Sequence, residues 1–219
     1  MAYNIAIDGP AGAGKSTVAR KVAEKLNMIY IDTGAMYRAV TLKACVKNKN
    51  TAQEIVEMLK DTYIDIKNNK VILDGEDVTE EIRSKQVTRK VSDIAKIPEV
   101  RLIMVEMQKR MARKKGVIMD GRDIGTTVLP DAEYKFFLTA DLKERARRRF
   151  EELKNKGYDV ELDQIEKDIL ERDLQDTKRK CSPLLAAKDA IIIDTTHKSI
   201  QEVVDEIITL IKRGEEGAL

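Results

Sequence analysis

A glycine-rich loop, Gly9-Pro10-Ala11-Gly12-Ala13-Gly14-Lys15-Ser16, offers the clearest chemistry in the sequence. It fits the pattern G-x-x-x-x-G-K-[ST] at every defined position. Glycines let a backbone turn its N–H groups towards a phosphate, and the helix that follows presents its positive end to the same anion. Lys15 can reach the β- and γ-phosphates of a nucleotide, and the Ser16 hydroxyl can bind Mg²⁺ directly. We therefore expect Gly9 to Thr17 to bind a nucleoside triphosphate.

A chance match of a glycine-rich turn is the alternative for this loop. An apolar run precedes the loop and a helical pattern follows it, which favours a phosphate site. The spacing is not G-x-G-x-x-G, so the loop lacks the dinucleotide fingerprint.

Two aspartates end the second and third predicted strands. Asp32 and Asp120 could both face the loop, because ligands of open parallel sheets bind beyond the carboxyl ends of the strands. Each could then hold Mg²⁺ through a water molecule. Aspartates also cap turns and helices, and the sequence is compatible with both magnesium binding and capping at these positions.

Short apolar runs alternate with helical patterns along the chain. The strands and helices that these patterns predict must position the glycine-rich loop and the two aspartates. Val18, Val22 and Leu26 mark a helix over Thr17–Leu26, and an amphipathic helix is predicted over Ile200–Ile211. Short continuous apolar runs separated by helices indicate a parallel sheet covered on both faces. We predict an α/β fold of the P-loop NTPase type with five parallel strands, at Tyr3–Ile7, Met28–Ile31, Gly116–Met119, Tyr134–Thr139 and Ala190–Ile193.

Two stretches interrupt this alternation. The first runs from about Gly34 to Lys115 and contains turn signals at Asn68-Asn69 and Asp74-Gly75, which predict a small antiparallel hairpin or three-stranded piece. The second runs from about Leu142 to Pro183, is dense in charge, and breaks at Asn155-Lys156-Gly157 between two predicted helices. We interpret the second stretch as a mobile flap.

The composition excludes several classes of protein. The chain has 219 residues, of which 42% are hydrophobic and 36% charged, which is typical of an ordinary globular core with a charged surface. The net charge of +2 does not demand nucleic acid as a partner. No apolar run is long enough to span a bilayer, and no signal peptide is expected. Cys45 and Cys181 are typical of reduced cytosolic thiols, so we expect a cytoplasmic protein.

Five segments together resemble the bacterial cytidylate (CMP/dCMP) kinases, a family of P-loop nucleoside monophosphate kinases. In chain order they are GPAGAGKST from Gly9, DTGAMYR from Asp32, DGRDIGT from Asp120, ERARR from Glu144 and ERDLQDTKR from Glu171. The resemblance extends from Tyr3 to about Val204. It implies an ATP-binding core (residues 1–34, 115–141 and 184–219), a monophosphate-binding domain (35–114, with a family insertion at about 61–84) and a lid (142–183).

The resemblance also implies roles for individual residues. It implies that Arg38 and Arg122 clamp the phosphate of the acceptor, a task that suits a guanidinium fork. It implies that Ser92, Arg101 and Asp123 read the cytosine edge, where a carboxylate can accept from the exocyclic amino group. In the lid, it implies that Asp176 contacts the ribose and that Arg148 binds ATP. The resemblance implies that the catalytic residues are Lys15, Arg122, Arg172 and Arg179. It implies that CMP is bound by Thr33, Tyr37, Arg38, Ser92, Arg101, Gly121, Arg122, Asp123, Arg172, Asp176 and Arg179.

Several of these residues have plainer interpretations. Arg38 could be a surface arginine, Ser92 a polar helix residue, and Arg101 part of a solvated helix face beside Glu99. Spacings of four and three place Arg172, Asp176 and Arg179 on one side of a helix, where they could form only a weak salt-bridge series. The basic run from Lys143 to Arg149, in which Arg145 and Arg148 could face ATP, could also be a solvated face.

The resulting hypothesis is transfer of a phosphoryl group from ATP to CMP or dCMP, with Mg²⁺ as cofactor. Such transfer needs alignment and charge neutralisation more than covalent chemistry. His197 is the only histidine and its sequence context indicates a loop residue. A kinase acting on UMP or AMP and a nucleotide-gated RNA-binding protein remain as alternatives. We expect a monomer that binds ATP and CMP or dCMP, without a stable nucleic-acid or membrane partner.

Overall fold

The structure is a computed structural model that describes residues 3–67 and 69–217. The described strands are β1 Ile5–Asp8, β2 Ile29–Asp32, β3 Ile64–Lys67, β4 Lys70–Leu73, β5 Glu76–Asp77, β6 Val117–Gly121, β7 Tyr134–Thr139 and β8 Ile191–Asp194. The α-helices are α1 Lys15–Leu26, α2 Thr33–Val46, α3 Ala52–Lys60, α4 Lys85–Ala95, α5 Pro98–Ala112, α6 Leu142–Asn155, α7 Leu162–Thr177 and α8 Ile200–Glu215. All five predicted sheet strands are present, and β7 has the predicted bounds.

Five strands form one sheet in the order β2-β6-β1-β7-β8. β1 lies in the centre and pairs in parallel with β6 and β7, so that Asp8 lies beside Gly121 and Phe137. Consecutive residues of β1, Ile5 to Ile7, are completely buried. Side chains of a strand alternate between faces, so both faces of the sheet are covered. The predicted α/β fold with a five-stranded parallel sheet is confirmed.

Helices α1 and α8 supply the apolar residues that cover the sheet. Val18 and Val22 of α1 are fully buried in one cluster with Val204 and Ile207 of α8 and Phe136 of β7. Ser199 begins α8 with a reciprocal capping box to Glu202. This packing fixes the start of α1, and therefore the position of the loop that precedes it.

The chain divides into two compact units, one formed by the residues up to Tyr30 and from Lys115 onward, the other by Ile31–Lys114. The second unit contains α2 to α5 and an antiparallel sheet of order β3-β4-β5, in which Ile64 pairs with Leu73. The predicted antiparallel piece is confirmed. Of its turn residues, Asn69, Asp74 and Gly75 have positive φ, while Asn68 lies outside the described residues. The division into core, monophosphate-binding domain and lid stays a prediction.

The second interrupted stretch forms the helix pair α6 and α7. Gly157, with a φ of 78°, follows α6 and reverses the chain where the break is predicted. A small apolar cluster that includes Ala146 of α6 with Ile165 and Ile169 of α7 holds the pair together. In the part of the chain that the structure describes, no helix is long and apolar enough to cross a membrane. Cys45 and Cys181 do not form a disulfide.

Candidate active site

The glycine-rich loop lies between β1 and α1, and its backbone needs glycine. Gly9 and Gly14 have φ values of 146° and 85°, which L side chains rarely adopt. A Cβ at Gly9 would lie 2.0 Å from the carbonyl oxygen of Leu138. The loop therefore folds against the end of β7 and leads straight into the N-terminus of α1. That helix start is suited to an anion, as predicted from the motif.

Lys15 is the buried cation of this loop. Its ammonium donates a 2.7 Å hydrogen bond to the carbonyl oxygen of Pro10, and the residue is 5% exposed. Burial lowers the pKa of Lys15, and the nearby charges of Arg122 and Arg172 lower it further against the opposite effects of Asp120 and Asp8. A phosphate placed here would compensate this crowding of positive charge.

Ser16 and Asp120 form an oxygen-rich pair beside the loop. The Ser16 hydroxyl donates to the Asp120 carboxylate at 2.8 Å, and the Tyr30 hydroxyl donates to its other oxygen at 2.8 Å. Hydroxyl and carboxylate oxygens are the ligands that Mg²⁺ prefers, usually together with water and substrate phosphates. The donor set therefore fits this ion. Among residues 3–67 and 69–217, no group of three or more His, Cys, Asp or Glu residues could hold a metal.

Asp32 has the alternative role that the sequence left open. It is the N-cap of α2, and its side chain accepts a 2.9 Å hydrogen bond from the backbone N–H of Ala35. A magnesium role for Asp32 stays a prediction, and the observed contact is a helix cap.

Asp176 is the centre of an arginine cluster. It is 1% exposed and accepts hydrogen bonds from Arg122, at 2.7 Å, and from Arg179. Burial would raise the pKa of Asp176, but the charges of Arg122, Arg179 and Arg172 hold it below its ordinary value. One carboxylate thus bonds two guanidinium groups and lies near the charge of a third, an excess of positive charge that suits a phosphate.

The prediction that Arg179 lies on the same helix as Arg172 and Asp176 is wrong. α7 ends at Thr177, and Arg179 belongs to the segment that follows. Arg179 follows the helix end by two residues and still pairs with Asp176, which lies three positions before it. The chain turns back farther on, where the backbone N–H of Leu184 bonds the Asp176 carbonyl at 3.0 Å.

Asp123 follows β6 and precedes a π-helical turn, Ile124–Val128. Asp123 is 5% exposed, and Gly121 is buried at the end of β6. The turn is tied to β1, because Asp8 accepts from the backbone N–H groups of Ile124 and Gly125 at 2.8 and 2.7 Å. Single π-turns occur frequently at functional sites.

The second unit contains the other predicted acceptor residues, Thr33, Tyr37, Arg38, Ser92 and Arg101. Arg101 is 2% exposed, which rules out the solvated helix face. Its guanidinium lies 5.5 Å from the ring centroid of Tyr37 and donates to the Ala95 carbonyl at 3.2 Å. Arg38 is partly exposed and donates to the Thr88 hydroxyl at 2.9 Å. Thr33 is buried in the first turn of α2, and Ser92 is partly exposed on α4.

The basic run on α6 divides into two classes. Arg147 and Arg149 pair with glutamates of their own helix and are in contact with solvent, which agrees with the interpretation of this run as a solvated face. Arg148 also pairs with Glu144 of its own helix, but in addition it donates to the hydroxyl and carbonyl of Thr195, which follows β8. Arg145 is buried and bonds the backbone of the loop, with its Nη1 3.0 Å from the Ala11 carbonyl oxygen. The spacing of Arg145 and Arg148 predicts that Arg145 faces ATP or the transferring phosphate, whereas the observed partner is the backbone of the loop.

Four residues of this region were not identified as site residues from the sequence: Asp8, Tyr30, Asp173 and Thr195. Asp8 directly precedes the first glycine of the loop, and Asp173 directly follows Arg172, so their positions were the only available signal. Their partners lie far along the chain. Asp8 bonds residues 116 and 117 positions away, and Asp173 bonds Ala11, 162 positions away.

Known proteins resemble this chain over nearly its whole length. It is 56% identical over 216 residues to a cytidylate kinase of Desulforamulus reducens, covering 96% of this chain and 97% of that protein. It is 52% identical over 221 residues to a cytidylate kinase of Caldanaerobacter subterraneus, covering 100% of this chain and 99% of that protein. A solved structure of an uncharacterized protein from Eubacterium ventriosum has a TM-score of 0.54 at 14% identity, with 97% and 99% coverage, and shares the fold. The sequence profile of the cytidylate kinase family matches residues 5–213. The chain belongs to the cytidylate kinase family.

Proposed function

We propose that the chain transfers the γ-phosphate of ATP to the phosphate of CMP or dCMP, giving ADP and CDP or dCDP. Family membership supports the cytidine acceptor. One observation carries the residue assignment. The charges of Arg122, which directly follows β6, and of Arg172 on α7 lower the pKa of the buried Lys15 of the phosphate loop, in addition to the effect of burial. A donor phosphate at the loop and an acceptor phosphate at the arginines would neutralise this charge together.

Lys15 and the arginines perform the transfer through charge and alignment. Lys15 would hold the β- and γ-phosphates, with the Gly9–Thr17 loop wrapped around them through those of its backbone N–H groups that are not bonded within the protein, and Arg148 also on ATP. Arg122 would hold the phosphate of the acceptor in line with the γ-phosphate. Arg172 and Arg179 would offset the charge that develops on the transferring group. An arginine in this role can contribute roughly 10³ to 10⁵ in rate.

Mg²⁺ is the proposed cofactor. When bound with ATP, it supplies charge neutralisation at the phosphate oxygens. Ser16 would bind the ion directly and Asp120 through water, which agrees with their hydrogen bond of 2.8 Å. Asp32 would take the same water-mediated role through its other carboxylate oxygen, since Oδ1 caps α2.

Recognition of cytosine is assigned to Asp123, Ser92 and Arg101. A carboxylate accepts from the amino group at position 4 of cytosine, whereas uracil carries a carbonyl there and would face it unfavourably. We assign the acceptor nucleotide also to Thr33, Tyr37, Arg38 and Gly121, with Asp176 on its ribose. The residue ranges 35–114 and 142–183 keep their proposed roles as monophosphate-binding domain and lid.

We further propose a cytoplasmic monomer whose partners are ATP and CMP or dCMP. The acids that pair with Arg147 and Arg149 on α6 oppose binding of RNA to this run. The proposal does not include a stable nucleic-acid or membrane partner.

An acceptor panel tests the proposed function. The kcat/KM for phosphorylation by ATP is measured with CMP, dCMP, UMP, AMP and GMP. We expect CMP and dCMP to be the best acceptors. A higher kcat/KM for UMP or AMP would reject the cytidine assignment. Tight RNA binding without phosphorylation of any acceptor would instead support a nucleotide-gated binding protein.

Exchange of Asp123 for alanine tests base recognition separately. Because a good polar contact to a base is worth about 1–3 kcal/mol of discrimination, Asp123→Ala should lower the CMP-to-UMP ratio of kcat/KM by roughly 10- to 100-fold. Thr126, exposed in the same π-helical turn, offers the control Thr126→Ala, which should leave the ratio unchanged. An unchanged ratio in Asp123→Ala would remove this residue from base recognition.

A further inference from the structure

Both backbone polar groups of one loop residue, Ala11, are bonded by side chains of the α6–α7 helix pair. The N–H of Ala11 donates to the Asp173 carboxylate at 3.1 Å. The carbonyl oxygen of Ala11 accepts from the Arg145 guanidinium at 3.0 Å. Asp173 and Arg145 also form an ion pair with each other. These three residues form a closed ring of contacts, which we call the Ala11 clamp.

The Ala11 clamp is well shielded from solvent. The side chains of Arg145 and Asp173 are 10% and 16% exposed. Arg145 is held in place by a further hydrogen bond of 2.9 Å from its Nε to the Ala140 carbonyl, at the end of β7. The loop also packs closely here, since a Cβ at Gly12 would lie 3.0 Å from the Cβ of Arg145. A shielded, charge-assisted contact of this kind fixes geometry more firmly than a solvated ion pair does.

The Ala11 clamp also joins two groups of residues with different proposed tasks. Ala11 belongs to the loop that would bind ATP, whereas Asp173 lies on α7 between Arg172 and Asp176. Holding Ala11 therefore fixes the loop in register with the helix that carries these residues. Because the N–H of Ala11 is bonded by a carboxylate, its contribution is to the shape of the loop and not to a direct phosphate contact.

We propose that Asp173 is a positioning residue that, together with Arg145, sets the conformation of the phosphate loop at Ala11 and thereby the productive binding of ATP. This inference rests on the proposed function for its kinetic consequence. It assigns Arg145 to the backbone of the loop and not to a phosphate group.

The kinetic test compares Asp173→Asn with a matched control on the same helix. Asparagine keeps the size of the side chain and one acceptor for the Ala11 N–H, but it removes the charge that binds Arg145. Small errors of alignment can cost roughly 100-fold in rate. We expect kcat/KM for ATP to fall roughly 10- to 100-fold while KM for CMP changes less than about threefold. Asp168→Asn removes an exposed acid of α7 whose carboxylate accepts from the Gln164 amide of the same helix, and this variant should match the wild type.

Hydrogen exchange of the Ala11 amide tests the same inference without any acceptor. By NMR on the full-length, nucleotide-free protein, the wild type should protect this amide, and Asp173→Ala should exchange it at least roughly tenfold faster. Asp173→Glu, which keeps the charge, should recover part of the kinetic loss. If the wild type does not phosphorylate CMP, the proposed function is rejected. The exchange rate of the Ala11 amide still tests the Ala11 clamp in that case. Equal exchange and equal ATP kinetics in Asp173→Asn, Asp173→Ala and Asp168→Asn would overturn the proposed role of Asp173.

Discussion

Asp8 and Asp176 are both almost completely buried, at 3% and 1% exposure, yet their surroundings act in opposite directions. Asp8 accepts from the N–H groups of two neutral peptides, and burial raises its pKa to about 6. Asp176 accepts from two arginines, and their charges hold its pKa below its ordinary value despite burial. Two neutral donors and the charge of Lys15 do not fully compensate the loss of water at Asp8, whereas the arginine charges do so at Asp176.

The comparison separates two kinds of region in the same unit. Around the phosphate loop, backbone groups and a single buried lysine supply the contacts, and the geometry follows from glycines and a helix start. Around Asp176, long cationic side chains supply the contacts, and ion pairs determine the geometry of the cluster. We therefore expect the loop region to act mainly on the rate of transfer, whereas the arginine cluster, besides its effect on the rate, determines folding of the α7 end and affinity for the acceptor.

Removal of Lys15 should have the largest effect, because it takes the only ammonium from the loop. Lys15→Ala should lower kcat by roughly 10³-fold or more, by analogy with the loss of other cations from phosphoryl-transfer sites. Affinity for CMP, measured by calorimetry, should change little, since the arginines remain. Loss of CMP binding in this variant would contradict the division between the two regions.

Removal of the Asp176 charge should have the second-largest effect. Breaking a buried ion pair by removing one partner costs about 3–5 kcal/mol, because the remaining charges stay buried without compensation. Asp176→Asn should lower the free energy of unfolding in urea by about this amount near neutral pH and raise KM for CMP. A change below about 0.5 kcal/mol, as expected for the exposed Asp168→Asn, would show that the arginines do not depend on Asp176.

The titration of Asp8 should have a pH signature of its own. Its folded pKa of about 6 lies above the ordinary value of 3.8, so the folded state binds the proton more tightly. The stability that Asp8 contributes is then fully present below the ordinary pKa and is lost as the pH rises through about 6. At 1.36 kcal/mol per pKa unit, the loss is about 3 kcal/mol.

Asp8→Asn isolates this contribution. The free energy of unfolding of the wild type minus that of Asp8→Asn should fall by about 2 kcal/mol between about pH 4 and about pH 7, the rest of the loss lying below about pH 4. A constant penalty from the asparagine N–H₂ group, which would face a backbone N–H, shifts the curve without changing its slope. A flat difference across this range would show that neutral donors do compensate the burial of Asp8.

The smallest effect is expected where the ion pairs are solvated. Arg147 bonds Glu144 and Glu151, but its side chain is 52% exposed. Such pairs often contribute nothing measurable. Arg147→Ala should leave kcat/KM within about twofold of the wild type and the melting temperature nearly unchanged. A large loss of activity would place Arg147 in the site and remove the contrast between buried and solvated arginines.

Local sequence was sufficient for some of these features. The apolar run Tyr134–Thr139 formed a strand with the predicted bounds, because a short, continuous apolar run between helices has few other structures available. The phosphate loop was predicted because glycine, lysine and serine occur at fixed spacing. Family resemblance supplied the roles of Asp123 and Arg122, which periodicity alone would not have indicated.

Other features depended on contacts between distant parts of the chain. Helical spacing placed Arg179 on α7, but the helix ends two residues before it, and its ion pair with Asp176 forms from the segment just beyond the helix. Asp32 had two possible roles, and only the structure revealed the bond to Ala35. The contacts of Asp8 and Asp173 join segments more than one hundred positions apart, for which a single sequence carries no signal.

Transfer of labelled phosphate tests the central claim most directly. The wild-type chain is mixed in excess with ATP labelled at the γ-phosphate, Mg²⁺ and CMP, and the products of a single turnover are separated. We predict that the label appears in the terminal phosphate of CDP, with little inorganic phosphate. Label found only in inorganic phosphate, or no CDP at all, would contradict the claim that the loop and the arginines hold two phosphates for direct transfer.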